Sequence, residues 1–206
     1  MYKSIIFDVD GTLIDTEEGI LVPLQRVVKE ELNQDKKLDE LKFSLGLTDD
    51  IALGMLNIKN IKGASDKWRK YIKEYSHLIK VYSGIEEVLR KLNELDVYTG
   101  IVTSRTKQEI IDDLYPFMIH RYMKTIISAD DSIKHKPEPD PILEFIKVSR
   151  IDPSSAIYIG DTIYDMKCAN SAGIDFALAL WGAKTAEGIN NAKYILKDPS
   201  DILKII

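Results

Sequence analysis

Six short apolar runs, most of them closing on polar residues, restrict the fold of this sequence more than any other feature. Ser4-Ile5-Ile6-Phe7 is β-branched and aromatic and stops at Asp8-Val9-Asp10-Gly11. Residues 97–102 run into Thr103-Ser104-Arg105, and Thr125-Ile126-Ile127 runs towards the polar loop 130–136. Ala156-Ile157-Tyr158-Ile159 runs into Gly160-Asp161-Thr162, residues 176–180 form a fifth run, and Tyr194-Ile195-Leu196 reads as an edge strand. Continuous apolar runs this short suit strands covered on both faces. Helical patterns separate them. Ser83-Gly84 opens one carrying Ile85, Val88, Leu89 and Leu92, and another precedes Thr125. A third spans 141–148 with Pro141 in its first turn, where a missing N–H costs little. A fourth stops at Gly173, and a last one starts at Asp198-Pro199-Ser200. Strands alternating with helices imply right-handed βαβ units, hence an α/β fold with a doubly wound, mostly parallel sheet.

Residues 16–80 break that alternation. Ile20, Leu21, Leu24, Val27, Val28 and Leu32 fall at helical spacing, as do Trp68, Tyr71, Ile72, Tyr75, Leu78 and Ile79. Shorter apolar pieces lie between residues 38 and 56, punctuated by Gly46 and Gly54. The aromatic stripe reads as core packing. At 206 residues the chain suits one domain with a sizeable insertion. The expected division is a Rossmann-like core of residues 1–15 and 81–206 with an all-helical insert, 16–80.

Charge and cysteine usage exclude several functions. The 28 basic and 33 acidic side chains leave a formal charge of −5, without the basic face that nucleic acid or an anionic membrane requires. A single Cys168, read as a small buried side chain, forms no internal disulfide and no multi-cysteine zinc site. No apolar run reaches the ~18 residues of a membrane span, and Asp8 cuts the first run too early for a signal peptide. A cytoplasmic location is expected.

In open α/β sheets ligands bind beyond the carboxyl ends of the strands, where this chain places Asp8, Asp10, Thr103, the 130–136 loop, Asp161 and Asp165. An aspartate serves well as a helix cap or loop former, which explains any one of these but not all together. Carboxylates from two strand ends in one crevice repel each other, and a hard divalent cation relieves that; Mg²⁺, with its oxygen ligands and retained waters, fits. Lys136 and Thr103 can hold phosphate oxygens, and the backbone N–H groups of Gly11, Thr12 and Ser104 can add anion contacts. One carboxylate is then free to attack phosphorus, and another to move the leaving-group proton.

These residues carry a resemblance. Asp8-Val9-Asp10-Gly11-Thr12-Leu13-Ile14-Asp15 resembles the first motif of the haloacid dehalogenase (HAD) superfamily phosphatases. Thr103 is similar to the second motif, Lys136 within His135-Lys136-Pro137 to the third, and Gly160-Asp161-Thr162-Ile163-Tyr164-Asp165 to the fourth. The helical insert is similar to the small cap of the branch containing phosphoglycolate phosphatase and β-phosphoglucomutase. The resemblance implies Asp8 as nucleophile and metal ligand, and Asp10 as general acid/base with its carbonyl on the metal. It implies Thr103 and Lys136 as phosphoryl binders, Asp161 as a side-chain ligand, and Asp165 as a ligand directly or through water. Asp10 separates the chain from the family's dehalogenases, which lack an aspartate there.

The resemblance also implies a small phosphorylated metabolite as substrate, with inorganic pyrophosphate or a mutase reaction as alternatives, and a monomer or weak homodimer. The β-phosphoglucomutases place a basic residue in the cap loop to hold a second phosphate. Thr48 and Asp49 stand in this loop, with Lys42 the nearest cation, which disfavours a mutase. A signalling receiver, which also uses Asp, Mg²⁺, Thr/Ser and Lys, is disfavoured by the helical insert. His77, His120 and His135 read as surface or packing residues, and Arg105 as a solvated helix-start residue.

Overall fold

In the computed structural model, which describes residues 1–183 and 186–206, the elements follow in the order β1 (Ser4–Phe7), β2 (Ile14–Asp15), α1 (Glu17–Leu32), α2 (Asp49–Met55), α3 (Ile61–Glu74) and β3 (Lys80–Val81). Then come α4 (Ile85–Glu94), β4 (Tyr98–Val102), α5 (Lys107–Glu109), β5 (Thr125–Ile127), α6 (Asp140–Ser149) and β6 (Ala156–Gly160). The chain ends with α7 (Ile163–Ala172), β7 (Asp175–Ala179), α8 (Leu180–Ala183) and β8 (Tyr194–Leu196), with short 3₁₀ segments between elements. Two compact units result: Met1–Asp15 with Val81–Ile206, and Thr16–Lys80.

The first unit is built on a six-stranded sheet in the order β5-β4-β1-β6-β7-β8, every neighbouring pair parallel. The chain leaves β1 towards β4 and β5, then crosses back to β6 on the other side. That reversal is the topological switch at which such sheets open a crevice beyond their carboxyl ends. Ile5, Ile6 and Phe7 are fully buried, as the continuous apolar run demands of a central strand. One face packs Phe145 of α6 and Cys168 and Ala169 of α7 against Ile6, Tyr158 and Phe176. Gly100 on β4 makes room for the Phe145 ring, which a Cβ there would strike. Gly173 ends α7 in the left-handed conformation, φ 77°, as expected of a C-terminal stop.

The helical unit packs Leu21, Leu24, Val27 and Val28 of α1 against Leu53 of α2 and Trp68 and Tyr71 of α3. The aromatic stripe is therefore core. Trp68 Nε1 donates to the Ile20 carbonyl at 3.1 Å, and Tyr71 hydroxyl lies 2.9 Å from Glu30.

Two of the expected helices differ. The one before Thr125 shrinks to α5, a π turn over Ile110–Leu114 and two 3₁₀ turns. Pro116 and the left-handed Met118 (φ 60°) break any regular continuation. The last helix is a 3₁₀ segment, Pro199–Lys204, started by Asp198, whose side chain accepts from Ser200 N.

Candidate active site

The loop after β1 is folded tightly by its own backbone. Thr12, Leu13 and Ile14 N–H all donate to the Val9 carbonyl, and Gly11 N–H donates to the Ile14 carbonyl at 2.8 Å. This corrects one expectation: the amides of Gly11 and Thr12 are already engaged within the loop and do not face an anion. Gly11 is needed for two reasons. Its φ of 75° is left-handed, and a Cβ there would collide with the Asp161 carboxylate. Helix α8, far along the chain, braces the same loop. Trp181 Nε1 donates to the Thr12 carbonyl at 3.0 Å, and Gly182 lies so close to the Gly11 carbonyl that a Cβ would not fit.

Asp8 and Asp161 follow neighbouring strands, β1 and β6, whose parallel register pairs Phe7 with Ile159. Asp165 enters from the first turn of α7, and its carboxylates and theirs converge. One oxygen from each of Asp8, Asp161 and Asp165 lies within 4.8 Å of the others. Lys136 stands among them, fully buried, with Nζ donating at 2.7 Å to Asp8 Oδ1 and at 2.7 Å to Asp165 Oδ1.

Asp165 is the most heavily engaged of the three carboxylates. Its Oδ2 accepts from Thr162 N–H at 3.0 Å and from Thr162 Oγ1 at 2.5 Å, as the return half of a capping box. Its Oδ1 accepts from Lys136, and Tyr158 hydroxyl lies 3.1 Å away. Asp8 Oδ2 and Asp161 Oδ1, in contrast, are buried and have no hydrogen-bond partner among the described residues. Unpaired buried carboxylate oxygens are costly, and carboxylates converging within 4.8 Å form an oxygen-only cradle suited to a hard divalent cation. The residues present therefore fit such an ion, which Asp8 and Asp161 would hold with Asp165 beside them.

Electrostatics point the same way. Burial pushes the Asp8 carboxyl up to about 7, helped by Asp165 and Asp10 and opposed by Lys136. Burial and the same crowding of carboxylates drive Asp161 well above the usual range. Burial would lower Lys136, but Asp165 and Asp8 outweigh it and hold the ammonium charged.

Thr103 is buried at the end of β4, and its Oγ1 accepts from Arg105 N–H at 3.2 Å. Ser104 beside it is partly exposed. Arg105 corrects a second expectation: it is buried, not solvated, and grips Asp10 with Nε and Nη2, each at 2.8 Å. Its other donor, Nη1, goes to Asp113. Lys42 pairs with Glu17 and Asp39 in the helical unit, where Asp49 accepts from Ser65 and Arg69. Sequence reasoning missed Asp113 and Tyr158. Only the inward position of Tyr158 in an apolar strand, next to the Gly-Asp pair, gave a signal.

A model of the haloacid dehalogenase-like hydrolases matches residues 5–179, which contain the side chains from Asp8 to Asp165 but not Trp181. The chain belongs to that family. Pyrophosphatase PpaX of Bacillus velezensis is 30% identical over 207 residues, covering 98% of this chain and 95% of that protein. A Clostridium acetobutylicum protein described as a predicted phosphatase superposes with a TM-score of 0.86 at 26% identity, covering 99% and 97% of the two chains. A Lactobacillus plantarum protein, provisionally named a phosphoglycolate phosphatase, superposes with a TM-score of 0.92 at 25% identity over the whole of both chains. These likenesses place this HAD hydrolase among the phosphatases of its family. No helix among its described residues is long and apolar enough to cross a membrane.

Proposed function

We propose that this HAD hydrolase is a Mg²⁺-dependent phosphatase of small phosphate monoesters that works through an aspartyl phosphate. The observation that carries the reading is the pairing of buried, unpartnered Asp8 Oδ2 and Asp161 Oδ1 beside a buried Lys136. When bound there, the cation supplies charge neutralisation for the transferring phosphoryl group. Asp8, held by Lys136, attacks phosphorus; the P–O bond to the leaving group breaks as the new bond to Asp8 forms. Asp10 gives its proton to the departing oxygen and takes one from the water that then hydrolyses the aspartyl phosphate, regenerating Asp8. Lys136 and the Thr103 hydroxyl hold phosphoryl oxygens, with Ser104 at the rim. Asp165 keeps Lys136 in place, and Thr162 and Tyr158 keep Asp165. Substrate selection falls to the helical unit Thr16–Lys80.

Proton transfer contributes about 10²- to 10⁴-fold, against the ~10²¹-fold that the slowest phosphate ester hydrolyses require. Positioning and charge stabilisation must carry the larger share. A second reading, hydrolysis of inorganic pyrophosphate, draws support from the Bacillus velezensis pyrophosphatase, a relative along nearly the full chain. Release of phosphate from a panel of phosphorylated metabolites and from pyrophosphate, with and without Mg²⁺, tests both. The expected result is Mg²⁺-dependent turnover of one substrate class, lost in Asp8→Asn; release by Asp8→Asn at the unsubstituted rate overturns the mechanism.

A further inference from the structure

Asp10 stands at one end of a buried chain of charge that runs through Arg105 to Asp113, two residues of the sheet unit that the reaction as described does not use. Arg105 presents Nε and Nη2 to the two oxygens of Asp10, each at 2.8 Å, and Nη1 to Asp113. The three side chains are 16%, 9% and 9% exposed, in chain order. The backbone of Arg105 is itself pinned, its N–H to Thr103 Oγ1 and its carbonyl to Ala129 N–H at 2.8 Å. Asp113 lies in the π turn Ile110–Leu114, whose wider winding brings Asp113 inward while Asp112 accepts from Gln108 at the surface.

We infer that Arg105 and Asp113 are positioning residues for the Asp10 carboxylate, an inference that rests on Asp10 serving as the acid/base. A planar guanidinium that binds a carboxylate through two parallel donors fixes its plane and direction as well as its distance. A single cation such as lysine fixes only distance. Stability alone does not account for the arrangement, because a buried ion pair about breaks even against apolar packing of similar volume. A carboxylate held in one plane meets the leaving oxygen at one angle, as proton transfer requires. Asp113 occupies the remaining side of the guanidinium and stops it from rotating away from Asp10.

Proton donation matters most when the leaving group is a poor one. The experiment therefore measures kcat/KM, with Mg²⁺, across phosphate esters from nitrophenyl to alkyl leaving groups. It compares the unsubstituted enzyme with Arg105→Lys, Asp113→Asn and Asp10→Asn, each shown to be folded by its thermal melt. Arg105→Lys is expected to lose about a hundredfold on alkyl esters and under about fivefold on the nitrophenyl ester. Asp113→Asn is expected to show the same slant with about tenfold on alkyl esters, and it carries the test where Arg105→Lys fails to fold. An equal loss on all esters, or a gain on any, overturns the inference. Asp10→Asn separates the two levels: if its own loss is flat across leaving groups, the acid reading of Asp10 fails. If Asp10→Asn is steep and the other two are flat, only the positioning role fails.

Discussion

Asp165 holds Lys136: its Oδ1 accepts from Nζ at 2.7 Å, with both side chains shut away from solvent. The same ammonium donates to Asp8 at 2.7 Å, so one lysine charge is shared between two buried carboxylates. Removing one partner of such a buried pair leaves charge uncompensated and costs about 3–5 kcal/mol. Asparagine keeps an acceptor for Lys136 but surrenders the charge and one oxygen bonded to Thr162. Asp165→Asn is therefore expected to lower unfolding free energy by about 3 kcal/mol and kcat/KM by at least tenfold. Urea denaturation with parallel kinetics checks both; a stability change under about 0.5 kcal/mol would reject the anchoring role.

Asp8 has the opposite relation to stability. Its carboxyl is raised because burial and neighbouring carboxylates penalise the ionised form in the absence of a cation. Strain of this kind belongs to function, and relieving it stabilises. Asp8→Asn is expected to melt higher than the unsubstituted protein in metal-free buffer at pH 8, while its phosphate release falls to background. A lower melting temperature would show that the Lys136 contact outweighs the crowding.

The sheet, its switch point and the converging aspartates were legible because they rest on local signals. An apolar run makes a buried strand, and an aspartate one residue past its end can only point out of the sheet. The region after β4 was not legible. A helix was expected there before Thr125, and nothing in the local residues announces a π turn followed by a left-handed Met118. Arg105 was misread for the same reason, since its burial depends on Asp10 and Asp113, 95 positions before and 8 after it. Gly11 and Thr12 invited an anion-binding reading from their place in a loop beyond a strand end, whereas their amides close the loop on Val9 and Ile14.

The pH dependence of stability follows from Asp8 and Asp161, both raised in the folded chain. A raised folded-state carboxyl means that the folded form holds its proton more tightly than the unfolded form. Its contribution is fully present below about pH 4, the ordinary carboxylate value, and is lost as pH rises towards 7, where Asp8 ionises. Lys136 is raised above an ordinary value that is already far above this window, so it stays charged in both states and adds no slope here. Metal-free protein is expected to lose melting temperature between pH 5 and pH 8 through these two groups. Excess Mg²⁺ should restore it more at pH 8 than at pH 5, because proton and cation compete for the same oxygens. A Mg²⁺-induced shift independent of pH would contradict the assignment of Asp8 and Asp161 as ligands.

Three substitutions test the bracing of the catalytic loop. A Cβ at Gly182 would overlap the Gly11 carbonyl oxygen, and Gly11 in turn packs on the Asp161 carboxylate. Gly182→Ala must push the loop, so it is expected to cost about 1–3 kcal/mol of stability and to reduce kcat/KM by more than tenfold. Trp181→Phe removes the donor at 3.0 Å from the Thr12 carbonyl, and an unmet buried acceptor costs about 1–3 kcal/mol. Gly54 in α2 has open space where its Cβ would stand, so Gly54→Ala is the contrast. Filling a helix interior there should stabilise by up to about 1 kcal/mol. Thermal melts of the three variants, with kinetics on one substrate, distinguish loop displacement from a general intolerance of added bulk. If Gly182→Ala and Gly54→Ala behave alike, the close approach of Gly182 to Gly11 does not hold the loop.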